Sequence, residues 1–104
     1  MNNTDCPVTN SLKLIGGKWK IAIIYNLGKG PMRFGELKKT LMPITQQMLT
    51  KQLRELEKDG LIIRKIYAEI PPRVEYFISE KGESIMPILD AMFEWGQKNI
   101  TFEE

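Results

Sequence analysis

Residues 44–60 read ITQQMLTKQLRELEKDG. Plotted as a helix at 100° per residue, Leu53 and Leu56 fall within about 40° of Leu49. Gln47, Thr50, Lys51, Arg54 and Lys58 fall on the far side. This is a helix with a narrow apolar seam and an outward face that is uncharged to basic. Thr45 suits its N-cap, because a side-chain oxygen there can accept from a free backbone N–H of the first turn. Gly60 suits its C-terminal cap.

The residues on either side give this helix its context. After it comes GLIIRKIYAEIPPRVEYFIS, residues 60–79. Ile62–Tyr67 and Val74–Ile78 are rich in β-branched and aromatic residues and read as strands, with Val74, Tyr76 and Ile78 alternating inward. Ala68–Arg73 joins them, and Pro71-Pro72 make it a stiff, protruding loop. Before the helix, Phe34–Leu41 reads as a third helix anchored by Phe34, Leu37 and Leu41. Met42-Pro43-Ile44 is the turn, since Pro43 cannot continue a helix without loss. Further upstream, Cys6-Pro7 opens a first helix with Leu12, Leu14 and Ile15 on its apolar face. Gly16-Gly17 ends it. A second helix runs from Lys18 to about Leu27, with Trp19, Ile23, Ile24 and Leu27 as its core stripe. Met32-Arg33 is a very short extended piece. Ser79 caps a last helix reaching about Asn99, with a kink or late start near Pro87.

A first helix, three more, a hairpin and a final helix match the order of a winged helix-turn-helix with an added N-terminal helix. The fold class is therefore α+β: mostly helical, with a two- to three-stranded wing and extra N- and C-terminal helices for dimerisation. Residues 1–104 form one domain. Within it, 1–5 are expected to be disordered, 6–17 and 79–101 to supply dimerisation helices, 34–60 the helix-turn-helix and 61–78 the wing.

Composition narrows the function. The chain has 104 residues, no histidine and one cysteine. It offers no metal constellation, no Gly-rich phosphate loop and no nucleophile with a partner base, so neither an enzyme nor a cofactor is expected. No apolar run is long enough for a membrane span, and MNNTDCPVTN lacks the basic and apolar regions of a signal peptide. A cytoplasmic location follows, with no membrane partner. Net charge is only +2, but it is unevenly spread. Residues 33–65 carry eight basic and four acidic side chains, whereas residues 66–104 carry three basic and eight acidic ones. Positive potential therefore gathers on the helix-turn-helix, and the acidic end, with Glu94, Glu103 and Glu104, must face away from any phosphate partner.

The blocks CPVTNSLKLIGGKWK (6–20), GPMRFGELKK (30–39), LTKQLRELEKDGLIIR (49–64) and YAEIPPRVEYFISEKGESI (67–85) resemble, in order, those of the HxlR-type transcriptional regulators. The resemblance spans roughly residues 6 to 97. It implies a DNA-binding repressor or activator. It also implies a homodimer paired mainly through the first and last helices, with the fourth helix as reader and the hairpin as wing. The PPRVEY wing signature is intact. Thr45-Gln46-Gln47 departs from the serine, variable residue and arginine common in relatives, so base preference does not carry over.

The expected partners are thus double-stranded DNA, on a palindromic operator, and a second copy of the chain. Gln46, Gln47, Thr50, Lys51 and Arg54 are the candidate readers: Gln pairs with adenine, Lys and Arg with guanine, Thr with a base edge or the thymine methyl. The bland alternative is a solvated helix face, or a winged-helix module that binds protein instead of DNA. Arg73 is placed to enter a minor groove from the stiff loop, against a salt bridge with Glu69 or Glu75. Arg33, Lys38 and Lys39 are candidate phosphate clamps. Leu12, Ile88, Leu89, Met92, Phe93 and Trp95 are the candidate dimer interface, since the last helix carries more apolar surface than a capping helix needs.

Cys6 is the candidate redox sensor. A thiol at a helix N-terminus has its thiolate favoured by free N–H groups, and Lys13, Lys18 and Lys20 lie nearby in sequence. The alternative is a cysteine packed as a small apolar residue. The resemblance bears on this choice, because several regulators of this type sense electrophiles or oxidants with a cysteine at an N-terminal Cys-Pro. Candidate signals are an oxidant, an electrophile or, independently of Cys6, a small-molecule effector.

Overall fold

The computed structural model describes residues 6–100. Six helices and one hairpin follow in the order α1 (Pro7–Ile15), α2 (Lys20–Leu27), α3 (Phe34–Thr40), α4 (Gln46–Lys58), β1 (Ile62–Tyr67), β2 (Arg73–Ile78), α5 (Glu80–Glu83) and α6 (Met86–Asn99). The expectation of disorder at 1–5, and the acidic pair Glu103 and Glu104, lie outside the described residues.

The architecture is a winged helix-turn-helix. The inward seam of α4 is as the wheel places it: Leu49, Leu53 and Leu56 are all buried. They pack with Ile23, Ile24 and Leu27 of α2 and Leu37 of α3. The Thr45 hydroxyl accepts from the Met48 N–H at 3.1 Å, capping α4. At the other end Gly60 takes φ 77°, a left-handed conformation that favours glycine. It lets Gly60 N–H reach Glu57 O at 3.0 Å and Leu61 N–H reach Leu56 O at 2.9 Å, closing the helix and turning the chain into β1.

The two strands pair antiparallel from Ile62↔Ile78 to Tyr67↔Arg73. Met32 adds a single bridge to Tyr76, its N–H donating at 3.1 Å and its carbonyl accepting at 2.8 Å. The short extended piece expected at Met32-Arg33 is thus a one-residue third strand. Tyr76 and Ile78 pack against the core, but Ile66, opposite Val74, is exposed, so only the base of the wing is anchored.

After the wing the helical chain is interrupted, with the late start expected near Pro87. α5 is one turn, and α6 restarts at Met86 with Pro87 in its first turn, where a missing N–H costs nothing. Ser79 makes the corner. Its hydroxyl accepts from Gly82 N–H at 3.0 Å and donates to Gly60 O at 2.6 Å, tying the end of the wing to the end of α4. Lys81 Nζ adds a bond to Asp59 O at 2.9 Å. The second helix also starts two residues later than the expected Lys18, because Gly17 adopts φ 98° and turns the chain first.

Candidate nucleic-acid interface

Burying one side of α4 presents the other. Gln46, Gln47, Lys51 and Arg54 are exposed along it, and Thr50 is half-buried. Together with Glu55 they line an open concavity of about 650 Å3. The Thr50 hydroxyl donates to Gln46 O at 2.8 Å, which leaves its lone pairs to accept from a ligand. Glu55 is an acid on this basic face, and Lys20 of α2 neutralises it at 2.7 Å. The hydrogen bond from Lys20 comes first in holding the Glu55 carboxyl below its ordinary value; the charges of Lys20, Lys51 and Lys58 add to it.

Arg33 immediately precedes α3 and is exposed, its N–H donating to Glu36 Oε1 at 2.9 Å. Lys38 is half-buried and Lys39 exposed in the last turn of the same helix. The candidate clamps therefore sit at opposite ends of α3. Arg73 is not held out in solvent. It pairs with Glu69 at 3.0 Å and lies over the Tyr67 ring, 4.0 Å from its centroid. Its Nε is buried without a partner.

Two residues absent from the sequence-based candidates join this surface. Arg64 and Tyr76 are cross-strand partners, and both line a second, more enclosed cleft between α4 and the wing, together with Arg54 and Glu57. The signal was present in the alternation of β1, which puts Arg64 on the same face as the buried Ile62.

The dimer candidates separate into two groups. Leu12, Ile88, Met92, Phe93 and Trp95 are exposed. Leu89 is not: it is only 4% exposed and belongs to the subunit's own core. The correction follows from helix geometry, since Leu89 lies about 100° round α6 from Ile88. Ile88, Met92 and Trp95 form one outward stripe. Phe93 lies nearer the core side and stacks on Tyr25 of α2 with ring centroids 6.3 Å apart.

Cys6 is the N-cap residue of α1 and is half-buried. The backbone N–H of Thr9, then the Thr9 hydroxyl, then the N–H of Val8 hold its thiol below the ordinary value. Lys13, Lys18 and Lys20 are not among the causes, and Lys20 is engaged with Glu55. The activating groups are thus first-turn N–H groups together with the Thr9 hydroxyl.

Residues 14–104 match the model of the HxlR-like helix-turn-helix family. Over 92 residues the chain is 52% identical to an uncharacterized HTH-type transcriptional regulator of Methanothermobacter thermautotrophicus, covering 88% of this chain and 70% of that one. Among solved structures it is similar to the redox regulator HypR in its oxidized form. The TM-score is 0.87 and identity 46%, covering 93% of this chain and all of the other. It is also similar to the reduced form of the transcriptional regulator YodB from Bacillus subtilis, with TM-score 0.82, identity 33%, and coverage of 95% and 98%. The chain belongs to the HxlR-like helix-turn-helix family and is a DNA-binding transcriptional regulator, not an enzyme.

Proposed function

We propose that this member of the HxlR-like helix-turn-helix family acts as a homodimer on a palindromic operator, with Cys6 as a redox or electrophile sensor. The reading rests foremost on the exposed face of α4, where Gln46, Gln47, Thr50, Lys51 and Arg54 line one concavity. A helix so capped and supported enters the major groove, with Gln47, Lys51 and Arg54 toward base edges. Arg33, Lys38 and Lys39 take flanking phosphates, and Arg73 leaves Glu69 to approach the minor groove. The whole chain works as one winged-helix unit, in which α1 and α5–α6 pair the subunits.

The outward stripe Ile88, Met92 and Trp95, with Leu12 on α1, supports a second copy as partner. Two-fold pairing spaces the two α4 helices by about one turn of duplex or a multiple. Cys6 stands at the start of α1, within the pairing elements. The likeness to the redox regulator HypR supports redox control, and Cys6 is the one cysteine of the chain. Two Cys6 thiols can join as one S–S bond across the dimer, their two electrons and two protons passing to an oxidant such as diamide. A change in the angle of the two α1 helices would move the two readers out of register with one duplex.

The deciding measurement is duplex binding by a Lys51→Ala, Arg54→Ala double variant. Weakened binding at unchanged melting temperature is expected. Unchanged affinity would mean that the α4 face does not touch DNA.

A further inference from the structure

The cleft between α4 and the wing has a volume of about 270 Å3. Phe34 and Leu53 form its apolar floor, and Arg54, Glu57, Arg64 and Tyr76 its polar walls. Arg64 and Tyr76 face each other across the strands in register, so both side chains leave the same side of the wing. Arg64 Nε lies 3.7 Å from Glu57 Oε2, and both side chains are nearly half exposed, at 46% and 40%. An ion pair this long and this open contributes little and is readily exchanged for a better anion. Two guanidinium groups against one carboxylate leave the cleft a net positive charge. Burial holds the Tyr76 phenol above its ordinary value, so it remains a protonated donor at neutral pH.

The position of the cleft says which anion it meets. A helix in the major groove and a hairpin at the neighbouring minor groove straddle the one backbone strand that separates the two grooves. That strand must cross the junction between α4 and the wing. We propose that this cleft seats one DNA backbone phosphate, with Arg64 and the Tyr76 hydroxyl as its ligands beside Arg54, the phosphate taking the place of Glu57 at Arg64. The inference rests on the reading that α4 and the wing face DNA. It adds two contacts that position the reader without selecting sequence.

The test is a salt series of fluorescence-anisotropy titrations with a mixed-sequence DNA duplex. The variants are Arg64→Gln, Arg64→Lys and Tyr76→Phe, each checked against the wild-type melting curve. For Arg64→Gln the slope of log K against log salt should become shallower by about 0.9, the counterion release of a single neutralised phosphate. Arg64→Lys, which keeps the charge, should restore the slope. Tyr76→Phe should weaken binding by about three- to tenfold with the slope unchanged, because a neutral donor releases no counterion. An unchanged slope in Arg64→Gln, or unchanged affinity in Tyr76→Phe, would overturn the phosphate seat alone. A weakening in Arg64→Gln confined to particular duplex sequences would make Arg64 a base reader and overturn it equally. Should the wild type fail to bind duplex at all, the DNA-facing reading falls and the seat with it.

Discussion

Lys20 of α2 and Glu55 of α4 meet at 2.7 Å, joining a helix of the core to the helix that carries the proposed reading face. The Lys20 side chain is only 12% exposed, whereas Glu55 is 41% exposed. A mostly buried lysine side chain thus reaches outward to neutralise an acid on an otherwise basic face. Because the folded carboxyl titrates below its unfolded value, the pair's contribution is complete at neutral pH. It is lost as pH falls through the folded value. Urea melts of the wild type and Glu55→Gln should therefore differ at neutral pH and converge in acid below the usual carboxylate range. A gap that persists unchanged there would show that the carboxylate charge is not what matters.

Gly82 is held by contact, not by backbone angle. A Cβ at this position would meet the Leu61 carbonyl oxygen, and would lie 2.8 Å from Ile78 Cγ1. The corner where α4, the wing and α5 join has no room for it. Gly82→Ala should cost about 1–3 kcal/mol of stability, as overpacking does in tight cores. Gly35→Ala, where a Cβ meets nothing, is the control. Chemical denaturation of both proteins settles the point; equal midpoints would mean that the corner relaxes freely.

Arg73 pairs with Glu69 and lies over the Tyr67 ring. If it reaches DNA, the pair with Glu69 competes. Glu69→Gln should then tighten duplex binding by up to about fivefold, the scale of a partly exposed ion pair. Arg73→Ala should weaken it. Tighter binding in Glu69→Gln that survives in the Glu69→Gln, Arg73→Ala double variant would assign the gain to the removed negative charge and not to Arg73.

The Cys6 thiolate is stabilised chiefly by Thr9. Alkylation of the wild type by iodoacetamide should follow a titration centred below that of an ordinary thiol. In Thr9→Val the hydroxyl is gone but the N–H remains, so the midpoint should rise part of the way back. On operator DNA, diamide should alter binding of the wild type and leave Cys6→Ser unaffected. The same response in both would place the switch elsewhere.

The outward stripe of α6 gives the dimer its own test. Replacing Trp95 by Glu puts a charge where an apolar contact is expected, and Trp95 is 60% exposed in the single subunit. Sedimentation should then find monomer at concentrations where the wild type pairs, with the fold intact by circular dichroism. Leu89→Ala should instead lower subunit stability by about 2–5 kcal/mol, because Leu89 is core. A Trp95→Glu protein that still sediments as a dimer would move the interface to another surface.

Much of this fold is legible along the chain. The 3.6-residue seam of α4 and its Thr45 cap are local patterns that report directly on which side is buried. The alternation of the strands is not, since β1 buries only Ile62 and β2 is half-buried throughout, with Val74 apart from the core that Tyr76 and Ile78 reach. Helix and strand patterns together are enough to place the helix-turn-helix and the wing after it to within a residue or two. Sequence reading fails where two distant segments compete for one residue. Leu89 belongs to the core and not to a partner surface, because sequence shows only that α6 has two apolar faces, not which one α2 covers. The late start of the last helix at Pro87 is legible in the sequence, but the bond from the Ser79 hydroxyl to Gly60 O, nineteen positions away, is not.

The same boundary divides the candidate site. Which face of α4 is exposed follows from sequence alone, since a helix that buries Leu49, Leu53 and Leu56 must expose Gln47, Lys51 and Arg54. The charge environment of that face does not. That Lys20 cancels Glu55, that Glu69 and Tyr67 hold Arg73, and that Arg64 meets Glu57 beside Tyr76 are decided by the tertiary structure. Local periodicity fixes the direction in which a side chain leaves its own element. Only the packing of one element on another sets which charges come within a few ångströms, and at that range electrostatic energy changes steeply with distance.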